Sequence, residues 1–351
     1  MTRRARPAKK PRPTAIDLFA GCGGLTLGLK QAGFSVLGAI ELCKLASHTY
    51  ASNHKEPYLW QGDIRNISVE SVKRRLRLRK HELDLLAGCP PCQGFSSMRT
   101  RNGRRRPRDS RNDLLFEFLR FVEELMPKTV MLENVPGLGR TVRMRQFVRQ
   151  LRLLGYHVNW DILNAAHYAV PQRRRRLILL ASRIGNIEFA KPARITRTVR
   201  DAIASIKPAG SSGDDIHDVP ESRSPEIAEL IRRIPKNGGS RAALGDNEQL
   251  PCHRDCDGFK DVYGRMAWND VAPTITGGCV NPSKGRFLHP SANRCITLRE
   301  AACLQGFPRR YRFSLDRGKF PVAEMIGNAL PPEFVRRHAA AVRRHLAREY
   351  S

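Results

Sequence analysis

The pattern of apolar and polar positions divides the chain into a regular part and an irregular stretch. Short apolar runs predict buried strands over residues 15–19, 36–40, 83–87, 129–132 and 177–180. Amphipathic patterns between them predict helices, clearest over 114–125 and 145–154. Apolar strands that alternate with helices are typical of a mostly parallel sheet covered on both faces. The sequence therefore predicts an α/β fold with a doubly wound sheet.

The regular alternation is lost between residues 184 and 295, where Pro, Gly, Ser and charged residues accumulate. This composition predicts a second, smaller, loop-rich domain over 184–295. Helical patterns return at 298–304 and 333–348, so we expect residues 14–183 and 296–351 to form the main domain together. Residues 1–13 are basic, with three prolines and no acid, and are expected to be a disordered tail.

The composition of the chain predicts what kind of partner it binds and where in the cell it is found. The 351 residues are 41% hydrophobic, enough for one large domain or two ordinary ones. Lys and Arg number 62 against 33 Asp and Glu, and the net charge of +29 predicts a polyanionic partner. No apolar run approaches the roughly 18 residues of a membrane helix, and no signal peptide is recognisable, so we expect a cytoplasmic protein. Nine irregularly spaced cysteines indicate reduced thiols.

A glycine-rich turn follows the first predicted strand. Asp17 opens the sequence Asp-Leu-Phe-Ala-Gly-Cys-Gly-Gly, which leads directly into a helical pattern. Glycine lets a backbone approach a ligand closely, although a tight structural turn is an alternative interpretation. Glu41 ends the second predicted strand, where its carboxylate can accept hydrogen bonds from ribose hydroxyls, and Asp63 offers another acid. The phosphate loop of ATP- and GTP-binding proteins is missing, so S-adenosylmethionine is favoured and NAD is the alternative.

A second loop carries a candidate nucleophile. The sequence Gly-Cys-Pro-Pro-Cys-Gln-Gly-Phe-Ser at 88–96 follows the strand predicted over 83–87. It places Cys92 near the carboxyl end of a strand, where open α/β sheets bind their ligands. A redox pair with Cys89, or two thiols that only pack, are the alternatives. The polar loop that follows disfavours the redox pair, which normally opens a helix.

Six blocks in a fixed order give the chain a clear resemblance to bacterial DNA (cytosine-5)-methyltransferases. They are Asp-Leu-Phe-Ala-Gly-Cys-Gly-Gly at 17–24, Pro-Pro-Cys-Gln-Gly-Phe-Ser at 90–96, Glu-Asn-Val at 133–135, Pro-Gln-Arg-Arg-Arg-Arg at 171–176, Arg-Glu-Ala-Ala-Cys-Leu-Gln-Gly-Phe-Pro at 299–308 and Gly-Asn-Ala-Leu-Pro-Pro at 327–332. The resemblance extends over residues 14–335. One departure is Ala329-Leu330, where the family more often has a valine before the prolines.

The resemblance implies methyl transfer from S-adenosylmethionine to carbon 5 of a cytosine in a specific duplex sequence. Carbon 5 is a poor nucleophile until the Cys92 thiolate adds to carbon 6. Glu133 would contact the ring nitrogen and amine, and Arg174 and Arg176 would orient the base, the carboxylate and a nearby phosphate. Glu133 could alternatively be a buried structural carboxyl. Because both carbons are hidden in the base stack, the cytosine must be flipped out of the duplex.

The resemblance also assigns binding residues. For the cofactor these are Phe19, Gly21, Gly23, Glu41, Asp63, Ile64, Pro91, Leu114 and Asn328. Residues 99–111 hold seven arginines and one acid, and their position matches the family's mobile DNA-closing loop, although a merely solvated loop is an alternative. The residues expected to bind DNA are Gln93, Ser96, Arg104, Arg105, Arg106, Thr274 and Gly277, the last two from a Thr-x-Gly signature in the region that would read sequence.

Two other functions fit the same blocks. One is methylation of cytosine in transfer RNA, and the other is a DNA-binding module without catalysis. A zinc cluster of Cys252, His253, Cys256 and Cys279 is disfavoured because paired Cys-x-x-Cys units are lacking, so no metal is expected. We expect a monomer in the bacterial cytoplasm, associated with the nucleoid and functionally paired with a restriction endonuclease or acting alone.

Overall fold

A computed structural model describes residues 11–91, 114–245 and 261–348 of the chain. At its centre lies a seven-stranded sheet with the strand order β3-β2-β1-β4-β5-β7-β6. The strands are β1 (Thr14–Leu18), β2 (Ser35–Glu41), β3 (Tyr58–Gln61), β4 (Leu85–Gly88), β5 (Thr129–Asn134), β6 (His157–Asn164) and β7 (Arg175–Ser182). Strands β1 to β5 run parallel to one another, whereas β7 runs antiparallel to both β5 and β6. The predicted mostly parallel sheet is confirmed.

The described ranges contain ten α-helices, and several of them pack on the two faces of the sheet. They are α1 (Gly24–Gln31), α2 (Lys44–Asn53), α3 (Val69–Leu76), α4 (Leu114–Leu125), α5 (Val142–Leu153), α6 (Val199–Ile203), α7 (Pro225–Arg233), α8 (Leu298–Leu304), α9 (Lys319–Asn328) and α10 (Pro332–Arg348). Along β5, Val130 and Leu132 enter a core with α3, α4 and α5, whereas Met131 enters a core with α1 and α10 on the other face. This alternation follows from the two-residue period of a strand.

Two strands were not predicted from the sequence, and both lie at sheet edges. Strand β3 is half exposed, and the first residues of β6 alternate between polar types (His157, Asn159 and Asp161) and apolar ones, with none fully buried. An edge strand has one neighbour and wider solvent access, so its sequence lacks the continuous apolar run of a central strand. The predicted central strands and the helices over 114–125 and 298–304 are confirmed.

The C-terminal helix α10 packs against α1, the first helix of the chain. Phe334 and Val335 of α10 belong to the same core as Leu25 and Leu29 of α1. The two helices meet at Gly28, where an added Cβ atom would lie 2.6 Å from the carbonyl oxygen of Pro332 and 2.7 Å from Cγ1 of Val335. Only a residue without a side chain permits this approach.

The predicted loop-rich region contains little regular structure and shares a core with the chain that follows it. Val199, Ile275 and Phe287 pack in one cluster with residues of α8 and α9, including Ala302 and Ile326. A smaller cluster surrounds α7. The division at residues 183/184 and 295/296 stays a prediction.

A buried guanidinium organises the smaller cluster. Arg265 has no exposed surface, and its Nε donates to the carbonyl oxygen of Ile234 at 3.0 Å. The remaining donors bond to the carbonyl oxygens of Ile231, His289 and Ala292 and to Oδ1 of Asn293. Five hydrogen bonds thus satisfy the guanidinium without a carboxylate.

Two further features of the described residues concern helix length and the state of the cysteines. Within the described ranges, no helix has the length and apolar character needed to cross a bilayer. The six cysteines in those ranges, Cys22, Cys43, Cys89, Cys279, Cys295 and Cys303, are all free thiols.

The close contact of α1 and α10 gives a prediction for stability. Gly28→Ala should lower the free energy of unfolding by about 1–3 kcal/mol, because the new methyl group collides with Pro332 and Val335. Urea unfolding followed by circular dichroism measures the change. Gly62→Ala is the matched control, since its Cβ would meet nothing within 4 Å, and it should change stability by less than about 0.5 kcal/mol. Equal stability of the two variants would contradict this packing.

Candidate functional site

The site lies at the carboxyl ends of four neighbouring parallel strands. Leu18, Ile40, Gly88 and Leu132 are paired at one level of the sheet. The next residue along each chain is Phe19, Glu41, Cys89 and Glu133, respectively. The register of the sheet therefore brings together candidate residues that are far apart in the sequence, at the edge where open α/β sheets bind ligands.

Glu41 supports the glycine-rich turn directly. Its Oε2 accepts a hydrogen bond from the amide of Gly21 at 2.7 Å, and its Oε1 accepts one from the amide of Cys43 at 2.7 Å. Burial raises the pKa of the Glu41 carboxyl, and these hydrogen bonds oppose the shift. Each carboxylate oxygen can accept further hydrogen bonds, so Glu41 can hold the turn and still accept from a ligand.

The turn is open on one side and closely packed on the other. Gly21 has a φ of +55°, and an added Cβ there would meet nothing within 4 Å. At Gly24, by contrast, a Cβ would lie 2.6 Å from the carbonyl oxygen of Leu330. This contact places the block at 327–332 beside the turn, with Asn328 exposed at the last position of α9.

Asp63 and Ile64 lie in the loop after β3. Asp63 accepts hydrogen bonds from the amide and Nε of Arg65, both at 3.0 Å, and the Arg65 side chain lowers the pKa of Asp63. Ile64 is buried, and its carbonyl oxygen accepts a hydrogen bond from Arg120 of α4 at 2.8 Å. Leu114 begins the same helix and is buried too. One contact between α4 and this loop thus sets the position of three predicted residues.

Glu133 and Arg176 form an ion pair at the end of β5. Arg176 Nε lies 2.9 Å from Glu133 Oε1, and Glu133 is only 8% exposed. The pair forms because β7 runs antiparallel to β5 and places Ile178 opposite Glu133, two residues from Arg176. A buried carboxylate therefore has a cationic partner, as burial of a charge requires.

The segment before the predicted nucleophile is attached to the same strand. Asn134 Nδ2 donates to the carbonyl oxygen of Pro90 at 2.9 Å, which holds this segment against the end of β5. Burial, followed by the negative charge of Glu133, raises the pKa of the Cys89 thiol. A neutral thiol at position 89 is suited to donate to Glu133 and unsuited to nucleophilic attack. Pro91, the last described residue here, is exposed.

Arg174 has a different environment from Arg176. It is 2% exposed and donates to the carbonyl oxygens of Ile275 at 3.0 Å and Gly327 at 2.9 Å. Burial lowers the pKa of Arg174 to about 9, so it stays charged at neutral pH. Its Nε has no hydrogen-bond partner among the described residues. The neighbouring Arg173 and Arg175 are exposed, as expected from the alternation along a strand.

The Thr-x-Gly segment packs against the arginine block. Thr274 Oγ1 donates to the carbonyl oxygen of Arg173 at 2.6 Å, and the amide of Ile275 donates to Gln172 Oε1 at 2.9 Å. An added Cβ at Gly277 would lie 3.2 Å from Cα of Glu324. The structure gives Thr274 and Gly277 contacts within the protein, and their contact with DNA stays a prediction.

Several predicted residues lie outside the described ranges. They are the nucleophile Cys92 and the DNA-binding candidates Gln93, Ser96, Arg104, Arg105 and Arg106. Cys252, His253 and Cys256 of the disfavoured zinc cluster also lie there. In the ranges that are described, no group of three or more His, Cys, Asp or Glu side chains could hold a metal ion.

Buried polar residues behind the turn were not assigned a role from the sequence. Asp17 Oδ2 accepts a hydrogen bond from Thr26 at 2.7 Å, whereas its Oδ1 has no partner among the described residues, and burial raises its pKa to about 7. His54 and Tyr311 contact the carbonyl oxygens of the turn. Asp17 stood inside a recognised block, but nothing in the local sequence marks His54 or Tyr311.

Comparison with known proteins agrees with this geometry. The family described as C-5 cytosine-specific DNA methylase matches residues 14–344. A Type II methylase of Herpetosiphon aurantiacus, M.HgiDII, is 35% identical over 347 residues, which cover 94% of this chain and 95% of the relative. The Type II methyltransferase M1.BsuMI of Bacillus subtilis is 32% identical, over 90% of this chain and 77% of the relative.

A solved structure supports the fold. A structure from E. coli described as a prophage-encoded DNA modification methyltransferase superposes with a TM-score of 0.74 at 24% identity, over 95% of this chain and 99% of the other. Since the family match spans nearly the whole described chain, the blocks and the register of the sheet have one common explanation. The chain belongs to the C-5 cytosine-specific DNA methylases, S-adenosylmethionine-dependent enzymes that act on DNA.

Proposed function

We propose that this enzyme methylates a flipped cytosine within a specific duplex sequence through a covalent bond between Cys92 and carbon 6. The observation that carries the proposal is the buried Glu133–Arg176 ion pair, held at 2.9 Å beside the Pro90–Pro91 segment that leads to Cys92. Pro90, two residues before the nucleophile, is attached to the strand end that carries the Glu133 carboxyl, and we propose that the two groups contact opposite parts of one pyrimidine ring. A base stacked within a duplex cannot reach groups at the end of a strand, so the cytosine must be flipped out.

Each residue of the group has a distinct task in this proposal. The Cys92 thiolate adds to carbon 6, which breaks the aromaticity of the ring and makes carbon 5 nucleophilic. Glu133 hydrogen-bonds to the ring nitrogen and amine, and so stabilises the charge that develops during the addition. Arg176 orients the Glu133 carboxylate. Loss of the carbon 5 proton and departure of the thiol then restore the aromatic ring.

Arg174 supplies positive charge at the other wall of the site. Its two terminal nitrogens are fixed by carbonyl oxygens of Ile275 and Gly327, so the guanidinium has one orientation. Its Nε–H is enclosed by the protein and has no partner among the described residues. We assign the guanidinium a role through its fixed positive charge, which stabilises developing negative charge without reorganisation.

The described residues fit S-adenosylmethionine. The open space at Gly21 leaves room for a ligand against the turn, and Glu41 retains acceptor capacity for ribose hydroxyls. We assign Phe19, Asp63, Ile64, Pro91, Leu114 and Asn328 to the remaining walls, and Gly23 to the turn. The bound cofactor supplies an electrophilic methyl group.

Duplex DNA is held by positive charge over a wide surface. The net charge of +29 and the exposed Arg173 and Arg175 beside the site favour phosphate contacts. We assign the arginines of 104–106 to the phosphates around the extruded base, and Gln93, Ser96, Thr274 and Gly277 to DNA contact. The region over 184–295 would read base edges in the major groove.

The relatives favour DNA over RNA as the substrate. The two relatives described above are each more than 30% identical and are named Type II enzymes, and the alignments cover 95% and 77% of their lengths. We therefore propose that this chain is the methylase of a restriction-modification system, paired with an endonuclease or solitary. It would act as a monomer on the bacterial nucleoid in the cytoplasm.

Cys92→Ser should abolish methyl transfer, because a hydroxyl is a far weaker nucleophile than a thiolate at neutral pH. Transfer of labelled methyl to a mixed-sequence duplex and to transfer RNA measures activity and substrate together. Wild-type enzyme should label the duplex only, and the variant should label neither while still binding DNA in a mobility-shift assay. Wild-type enzyme should also form a denaturation-resistant complex with 5-fluorocytosine DNA. Activity of the variant, or labelling of RNA alone, would contradict the proposal.

Arg176→Ala should lower kcat about 100-fold, because Glu133 loses the partner that orients it. Steady-state methylation of duplex DNA measures kcat. Arg152→Ala is the matched control: it removes an exposed guanidinium from α5, outside the site, and should leave kcat within about threefold. Thermal unfolding of both variants checks that they are folded. Similar kcat values for the two would remove the catalytic role of the ion pair.

DNA affinity should fall steeply with salt, because each neutralised phosphate releases a counterion. We expect at least a ~100-fold loss of affinity between 50 and 200 mM salt, measured by fluorescence anisotropy with duplex DNA. Replacing Arg104, Arg105 and Arg106 by glutamine should reduce the slope of log affinity against log salt concentration by up to about one for each arginine. The control replaces the exposed Arg145, Arg149 and Arg152 of α5 by glutamine. It removes the same number of charges and should leave the slope unchanged. A flat salt dependence of the wild-type enzyme would contradict phosphate binding.

A further inference from the structure

We propose that His54 and Tyr311 are positioning residues that hold the glycine-rich turn in the shape that binds the cofactor. The inference rests on the proposed cofactor site and extends it to two residues outside the six sequence blocks. Neither side chain lies on the open side of the turn. Both act from behind, through carbonyl groups.

The contacts form a closed hydrogen-bonded group. The Tyr311 hydroxyl donates to the carbonyl oxygen of Cys22. His54 Nε2 lies 3.2 Å from the carbonyl oxygen of Gly23 and 3.0 Å from the Tyr311 hydroxyl. One donor arrangement satisfies all three contacts: Nε2–H of a neutral imidazole is shared by Gly23 and Tyr311, and the tyrosine hydroxyl proton goes to Cys22.

Burial fixes this arrangement. Both His54 and Tyr311 are 3% exposed, so water does not compete for these donors. Burial lowers the pKa of His54 to about 4, and the imidazole is therefore neutral near pH 7. The charged groups that affect it are Lys30 of α1, which favours the neutral form, and the exposed Glu56, which opposes it.

The two rings also touch the backbone of the turn. An added Cβ at Gly23, which has a φ of +94°, would lie 2.6 Å from the His54 ring and 2.7 Å from the Tyr311 hydroxyl. The turn cannot move toward the protein, and the two hydrogen bonds prevent it from moving away. This double restraint sets the orientation of the peptide groups after Cys22 and Gly23.

The orientation of those peptide groups bears on ligand binding. In a trans peptide the N–H points away from the carbonyl oxygen, so fixing the Gly23 carbonyl also fixes the amide of Gly24. This amide is the first of α1, whose N-terminus has no side-chain cap. The Gly23 carbonyl accepts from Leu27 as well, so it links the first turn of α1 to His54. A pre-organised turn loses less entropy when a ligand binds.

Tyr311 is held in place independently of its hydroxyl. The chain after it bonds to α2 through Asn53, which contacts the amide of Arg312 at 3.0 Å and its carbonyl oxygen at 2.8 Å. The amide of Ser314 donates to Thr49 Oγ1 at 3.3 Å. The ring also packs against Phe307 and Phe313. Removing the hydroxyl therefore removes the contact to the turn and leaves the segment where it is.

The test compares two tyrosines that each lose a buried hydroxyl. Tyr311→Phe should weaken binding of S-adenosylmethionine about 5- to 10-fold, the equivalent of one lost hydrogen bond. Tyr156→Phe is the matched control, since its hydroxyl donates to the carbonyl oxygen of Pro127 at 2.6 Å in another part of the core. Isothermal titration calorimetry on the full chain without DNA gives the Kd. With saturating cofactor, kcat of Tyr311→Phe should stay within about twofold of the wild type.

A second pair of variants covers the case in which Tyr311→Phe does not fold. His54→Phe removes the N–H donor and should weaken cofactor binding, whereas His54→Gln keeps an N–H at a similar distance and should restore most of the affinity. Unchanged affinity in Tyr311→Phe and His54→Phe, or equal weakening in Tyr156→Phe, would overturn the inference. Failure of the wild-type enzyme to bind the cofactor would instead refute the proposed cofactor site.

Discussion

A buried pair of opposite charges determines much of this structure. Glu133 and Arg176 come from strands that run in opposite directions, and the register of β7 beside β5 places them in contact. Isolated, either charge would be costly to bury, so each needs the other. The register between β5 and the reversed strand β7 therefore determines whether both charges can lie in the interior.

The candidate residues are held in place by contacts from other parts of the protein. Glu41, Glu133 and Arg174 are each fixed by hydrogen bonds to backbone or by an opposite charge. The partners of Arg174 come from distant parts of the chain, namely Ile275 and Gly327. The block at 327–332 contacts the glycine-rich turn through Leu330 and Arg174 through Gly327. Distortion of this block would therefore displace both the turn and Arg174.

The sequence predicted the central sheet, the main helices and most of the candidate site. Apolar runs located β1, β2, β4, β5 and β7 because these strands are buried on both faces, whereas the polar edge strands β3 and β6 carry no such signal. The blocks identified Glu133 and Arg176, but their contact depends on strand order, which hydrophobic patterns do not reveal. His54 and Tyr311 were missed for a related reason: each functions through a backbone carbonyl that lies 31 and 289 residues away, respectively.

The hydrogen bonds of the Arg265 guanidinium have a consequence for how far the sequence around them can vary. Four of its five acceptor atoms are main-chain carbonyl oxygens, which every amino acid carries. Side chains at 231, 234, 289 and 292 can therefore vary without removing those hydrogen bonds. The core around α7 is thus anchored by main-chain atoms that substitution at these four positions leaves in place, so the sequence there can change without loss of the anchor.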